Sequence, residues 1–371
     1  MLTLIRNGVL HTPAPAGVQS VLLVGERVAR LGDVDEAALA ALGLPFEVVD
    51  ARGGLVVPGF VDPHQHLIGA GGEKGFASRM PEVSLEQLLL AGITTVVGCL
   101  GTDGTTRHLG ALVGKVRQLV EQGLSAFLYT GGFYVPPLTL TGSVRDDLVL
   151  IDRVIGVGEL AISDVRSSHP TLDELARLVS EALVGGRMAG KAGVTHFHTG
   201  PGRGLMKPLH ALLDGYEVEP SSLYVTHANR TEALLDDAIS LSHRGAFVDM
   251  DTVDPGLGPW LRYYLEHGGV PERLTVSSDA HTAGAEPARL HQEFVASVRE
   301  HGLPLEQVLP FFTANPAAAL KLRDKGRLAP GQDGDVLVLD GRTLEVLHVF
   351  ARGRWRVRDG RMLMGKPGDA A

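Results

Sequence analysis

Between Val56 and His66 the chain reads VVPGFVDPHQH, an apolar run that leads straight into two histidines one residue apart. Alternate residues of a strand point to one face, so the His64 and His66 imidazoles project the same way, roughly 6–7 Å apart along the chain. That placement suits two ligands on one borderline-soft divalent ion such as zinc. An HxH pair alone is a weak signal, because histidines at a strand end are commonly surface polars. Other apolar runs in this chain end the same way. VIGVGELAI carries Glu159, THFHTG carries His196 and His198, VTHANR carries His227, and SSDAH carries Asp279. Histidine or carboxylate at five strand ends points to a metal site rather than to core histidines. His196 shares a strand face with His198 but lies deeper, where a core role is the simpler reading.

These residues need a scaffold that gathers strand ends at one place. Strand-like segments fall at 55–62, 94–100, 125–131, 154–162, 193–199, 222–228, 245–250 and 274–279, with amphipathic helical runs such as 105–122, 171–190, 230–243 and 286–301 between them. Eight β/α alternations predict a TIM (β/α)8 barrel over residues 56–327, whose active site lies at the C-terminal ends of the strands. A doubly wound open sheet fits less well, because no GxGxxG follows the first strand. The two ends of the chain read differently. Short alternating strands such as QSVLLVG and DVLVLD predict one small β-sandwich domain formed by residues 1–55 and 328–371.

Composition narrows the partners. The 371 residues carry a formal charge of −9 with 44% hydrophobic and 21% charged residues, ordinary for a soluble globular protein. The negative balance and the lack of a basic, aromatic-interleaved patch argue against nucleic acid. A single cysteine, Cys99, excludes an intramolecular disulfide and a thiolate cluster. The N-terminus lacks a signal-peptide layout and no run is long enough to span a bilayer, so no membrane partner and a cytoplasmic location are expected.

The strand-one HxH, the histidines on strands five and six, and the aspartate on strand eight resemble the amidohydrolase superfamily, and GRLAPGQDGDVLVLD at 326–340 resembles its return into the small β domain. Within it, HLIGAGGEKG (66–75), GTDGTTRH (101–108), LTGSVRDDLVLIDRVIGV (140–157), AISDVRSSHP (161–170), AGKAGV (189–194) and THANR (226–230) resemble the isoaspartyl (β-aspartyl) dipeptidases. The resemblance implies hydrolysis of a dipeptide by a hydroxide activated between two divalent ions, with zinc expected. His64, His66 and Asp279 would hold the more buried ion, His198 and His227 the more exposed one, and a strand-four residue would bridge them. Glu73 would bind the substrate's α-ammonium group, Arg166 and Arg230 its carboxylates, and Gly71 and Thr102 would add contacts. Asp279 would also act as general base and acid. Relatives assemble as octamers, so a homo-oligomer is expected. An amidohydrolase acting on a cyclic amide or an N-acyl amino acid is the alternative. A non-catalytic scaffold is disfavoured because no ligand is missing.

The chain departs from that pattern in three places. The familiar dipeptidases bridge their metals with a carboxylated lysine on strand four, and here no lysine occurs between Lys115 and Lys191. Glu159 stands at the matching position. Its side chain is several bonds shorter, so its backbone must lie closer to the metals. The preceding Gly158 in VGEL suggests a bulge that re-aims it. At GGFYVP the family's carbonyl-polarising tyrosine falls on Phe133 or Tyr134, of which only Tyr134 can donate a hydrogen bond. At SSDAHTAG, Thr282 or His281 stands where the family offers a serine near the substrate.

Overall fold

Consecutive amides at the Pro58-Gly59-Phe60 junction bond to two different sheets, and this junction organises the molecule. In the computed structural model, which describes residues 1–281 and 285–363, Gly59 N donates to Asp335 O (2.9 Å) and Phe60 N donates to Gly92 O (3.0 Å). The single strand expected over 55–62 is therefore two. Leu55–Pro58 belongs to a sheet built by the chain's ends, and Phe60–Gln65 opens the barrel.

The barrel strands are β1 (Phe60–Gln65), β2 (Ile93–Gly98), β3 (Ser125–Thr130), β4 (Val154–Ile162), β5 (Val194–Thr199), β6 (Leu223–Thr226), β7 (Phe247–Asp251) and β8 (Leu274–Ser277). Each pairs in parallel with the next. Past the end of β8 the chain bonds back to β1, with Ser278 N donating to Asp62 Oδ1 (3.1 Å) and Asp279 N to His64 O (3.1 Å). With a helix after each strand, this is a (β/α)8 barrel. Its strands are buried on both faces, which is why they read as apolar runs. Along β5, Phe197 joins the apolar layer beneath the helices, leaving His196 and His198 on the interior face. The longest helix, Leu172–Ala189, shows how firmly the sequence marks its ends. Thr171 and Glu174 form a capping box, and Gly190 closes it in the left-handed conformation.

Leu55–Pro58 pairs antiparallel with Val336–Leu339 and parallel with Leu2–His11, which joins both termini in one nine-stranded sheet. That sheet has its own apolar cluster, including Ile5, Val21, Val56, Val336 and Phe350. Buried Lys325 ties it to the barrel, reaching Ser125 Oγ (2.5 Å) on β3 and the carboxylates of Asp333 (2.5 Å) and Asp335 (2.6 Å).

Candidate metal centre

His64, His66, Glu159, His198, His227 and Asp279 converge at one end of the barrel, each at most 4% exposed. Glu159 stands at the centre of the group. Its Oε1 lies 3.4 Å from His66 Nε2. Its Oε2 lies 3.0 Å from His198 Nδ1, 3.5 Å from His64 Nε2 and 3.6 Å from His227 Nε2. Asp279 Oδ1 faces the deep pair, 3.2 Å from His66 Nε2 and 3.6 Å from His64 Nε2. Ligand atoms of Glu159, His198 and His227 lie within 4.8 Å of one another, as do those of His64, His66, Cys99 and Glu159.

The backbone explains how a glutamate reaches this position. Val157 pairs with Thr195 and Leu160 with Phe197, so Gly158 and Glu159 stand opposite the single residue His196. This is a bulge, and it turns the glutamate inward. Gly158 has φ +147° and a Cβ there would meet His196 O at 2.5 Å, so no larger residue fits. His227 (φ 67°) and Asp279 (φ 42°) are also held in the left-handed region, which non-glycine residues adopt at a cost.

The donor set fits divalent cations. Both ring nitrogens of buried His64 lack a hydrogen-bond partner, an arrangement that is costly unless something binds them. Burial lowers its imidazole to about 4, leaving it neutral with a free lone pair. Burial alone would push the Glu159 carboxyl up, but the imidazoles of His198 and His64 outweigh it and hold it well below the usual carboxylate range. Asp279 is likewise held low, by His281 and His64 against burial. Imidazoles interleaved with ionised carboxylates form a site for hard or borderline dications.

A cavity of about 660 Å³ opens above this group. His66, Glu159, His198 and Asp279 form its floor, and Gly71, Glu73, Thr102, Phe133, Arg166, Arg230 and His281 line its walls. Glu73 pairs with Arg166 Nη1 (3.0 Å) and accepts from Thr102 Oγ1 (2.9 Å). The rest of the Arg166 fork is taken by Asp164, through Nε to Oδ1 (3.0 Å) and Nη2 to Oδ2 (2.9 Å). Arg230 Nη1 lies 3.4 Å from His198 Nε2.

Tyr134 does not reach this cavity. Its side chain is 44% exposed, whereas Phe133 is buried, packs 4.6 Å from the His198 ring and lies under the Arg166 guanidinium. The chain bends through residues 133–136, with Phe133 turned inward and Tyr134 outward. Of the two candidates for the carbonyl-polarising position, Phe133 lines the cavity and Tyr134 does not. Thr282 lies outside the described residues, while His281 lines the cavity with Nδ1 3.2 Å from Asp279 Oδ1. His196 lies below the floor, stacked on Tyr129 at 5.0 Å and 4.7 Å from the His64 ring.

Sequence reasoning missed three aspartates. Asp251 Oδ2 accepts from His227 Nδ1 (2.6 Å), and Asp164 Oδ2 lies 3.1 Å from His198 Nε2. Asp62 accepts from Ser278 N, Ser278 Oγ and Gln65 Nε2, and burial pushes its carboxyl up to about 7. Asp251 ends β7 and follows the same strand-end rule as the histidines, so a search of that strand would have found it.

Two models described as amidohydrolase family match residues 47–104 and 261–358. The solved β-aspartyl dipeptidase of Fervidobacterium islandicum AW-1 superposes with a TM-score of 0.93 at 38% identity, covering 99% of this chain and 100% of that one. The structure of that enzyme in complex with β-Asp-Leu dipeptide also superposes at 0.93, with 37% identity and 99% of each chain covered. Among curated sequences, the imidazolonepropionase of Anaeromyxobacter sp. is 28% identical over 90% of this chain and 88% of its own length. The chain belongs to the amidohydrolase family, in the branch of the β-aspartyl dipeptidases.

Proposed function

We propose that the protein hydrolyses β-aspartyl dipeptides, using two divalent ions held by His64, His66, Glu159, His198, His227 and Asp279, with zinc as the metal. The observation that carries this reading is the pair of Glu159 oxygens. Oε1 faces His66 of the deep pair, and Oε2 faces both outer histidines and His64, beneath a cavity whose lining includes Glu73, Arg166 and Arg230. Bound there, a pair of divalent ions acidifies a water and polarises the scissile carbonyl.

The protein's own groups do the rest. An isoaspartyl dipeptide carries an α-ammonium, an α-carboxylate and a C-terminal carboxylate. Glu73 takes the ammonium, and Arg166 and Arg230 take the carboxylates, with Gly71 and Thr102 adding contacts along the wall. Without substrate, Glu73 and Arg166 pair with each other at 3.0 Å, so a zwitterionic head group replaces one ion pair with two. Asp279, held ionised beside His66, accepts the proton of the attacking water and delivers it to the leaving amine. A homo-oligomer and a cytoplasmic location complete the reading. No helix among the described residues is long and apolar enough to cross a membrane.

The α-linked isomer sets the ammonium and carboxylate differently around the scissile carbonyl. One buried polar partner is then left unpaired, which costs about 1–3 kcal/mol, or on the order of 10–100-fold in rate. The test is turnover of β-Asp-Leu, α-Asp-Leu, a cyclic amide and an N-acyl amino acid, by chelated enzyme and after zinc is restored. Zinc-dependent cleavage of β-Asp-Leu alone is expected. Equal rates on both isomers, or cleavage of the cyclic amide without β-Asp-Leu, would replace this reading with the broader amidohydrolase one.

A further inference from the structure

GTDGTTRH, which follows β2, contains a buried arginine that the proposed chemistry does not use. Arg107 is 6% exposed and spends its guanidinium on backbone carbonyls. Its Nε donates to Ile68 O (3.3 Å), and its Nη2 donates to both Ala70 O (2.8 Å) and Met80 O (3.1 Å). Its Nη1 reaches Gly71 O (3.5 Å) and the Asp103 carboxylate (3.3 Å). Ala70 and Met80 are the two arms of a loop that leaves the barrel after β1. Met80 N donates to Ala70 O (2.8 Å), and Gly71 faces Arg79 as an antiparallel bridge. A Cβ on Gly71 would meet Ser78 O at 2.6 Å, so the arms meet closely at this neck.

The tip of this loop carries Glu73. Its side chain is 49% exposed, and its partners are Thr102 and Arg166, both on the cavity wall. Among the described residues, the hydrogen bonds and ion pairs of the Glu73 side chain are to these two residues, which lie outside its own loop. Gly71, Gly72 and Gly75 all adopt positive φ, so the tip segment is one whose backbone is loosely specified by its side chains. The tip closes on its own turns, with Gly75 N donating to Gly72 O (3.0 Å) and Ser78 N to Gly75 O (2.9 Å), and it joins the barrel through the neck, where the guanidinium fork of Arg107 holds both arms at once. A planar, multi-donor group suits that task, whereas a lysine ammonium is a point donor.

Resting on the reading of the cavity given above, we propose that Arg107 is a positioning residue for Glu73, and that through it the protein selects substrates bearing a free α-ammonium group. Arg107 never touches substrate. It acts by limiting where the Glu73 carboxylate can be.

The test compares β-Asp-Leu with N-succinyl-leucine, which is the same molecule without the α-amino group. Wild-type enzyme should prefer β-Asp-Leu by on the order of 10²-fold in kcat/KM. In Arg107→Met that preference should fall about tenfold, mainly through KM for β-Asp-Leu. Turnover of N-succinyl-leucine and metal content should stay within about twofold. Arg107→Lys, which retains a buried cation, should show the same loss of preference and covers the case in which Arg107→Met fails to fold. Combined with Glu73→Gln, which removes the anion, Arg107→Met should cause no further loss. Equal losses on both substrates, or an unchanged preference in either Arg107 variant, would overturn the proposal. A wild-type enzyme that cleaves neither substrate, or both alike, would overturn the underlying reading of the cavity instead.

Discussion

The deep and outer histidine pairs of the centre differ in what stands behind them. Each outer histidine has a carboxylate on the ring nitrogen that faces away from Glu159, Asp251 on His227 at 2.6 Å and Asp164 on His198 at 3.1 Å. The deep pair has no such support. Among the described residues, His66 Nδ1 meets Cys99 Sγ at 3.7 Å, and neither ring nitrogen of His64 has a hydrogen-bond partner. A carboxylate behind an imidazole fixes its tautomer and strengthens it as a donor. The deep pair relies instead on barrel packing and on Asp279. The outer half is thus oriented by hydrogen bonds and the deep half by burial, with Glu159 common to both.

The largest effect should come from removing what the halves share. Glu159→Ala should lose about 4 kcal/mol of transition-state stabilisation, on the order of 10³-fold in kcat/KM, and bind at most one ion per chain. Retained turnover with two ions bound would dissolve the link between the halves. Glu159→Lys tests the bulge. The backbone at Gly158 and Glu159 is already turned inward, so a longer side chain should fit badly and leave activity low even with added bicarbonate. Bicarbonate-dependent recovery to the wild-type rate would show that the bulge has no such consequence.

Next in size is Asp251→Asn, which should weaken the outer ion about 10–100-fold while leaving the first equivalent tight, as read by competition with a chromogenic chelator. Equal weakening of both ions would remove the proposed asymmetry. Cys99→Ala should change little, within about threefold for either ion, because a thiol is a weak hydrogen-bonding partner. A tenfold loss of the tighter ion in this variant would make Cys99 a real support of the deep half.

Much of the scaffold was legible because parallel barrel strands are continuous apolar runs and their ends must carry the chemistry. His64, His198, His227 and Asp279 stand out on that rule alone. Glu159 was legible through the missing lysine and the adjacent glycine. Residues that act through others were harder to read. Asp164 lies in a loop and Asp62 inside an apolar strand, and neither has a spacing that reveals its partner. The choice between Phe133 and Tyr134 was hard to read for a different reason. GGFYVP is a run of bends past the end of β3, so no strand alternation marks which of its rings turns inward. The split of 55–62 between two sheets was invisible because the apolar pattern runs unbroken across Gly59.

The most direct test is a crystal structure of the zinc-loaded protein with anomalous scattering at the zinc edge. Two ions per chain are expected, one among His64, His66 and Asp279, the other between His198 and His227, each with one Glu159 oxygen at about 2.0–2.2 Å. A single ion, or two ions with Glu159 beyond ligand distance of either, would contradict the shared carboxylate on which the two halves depend.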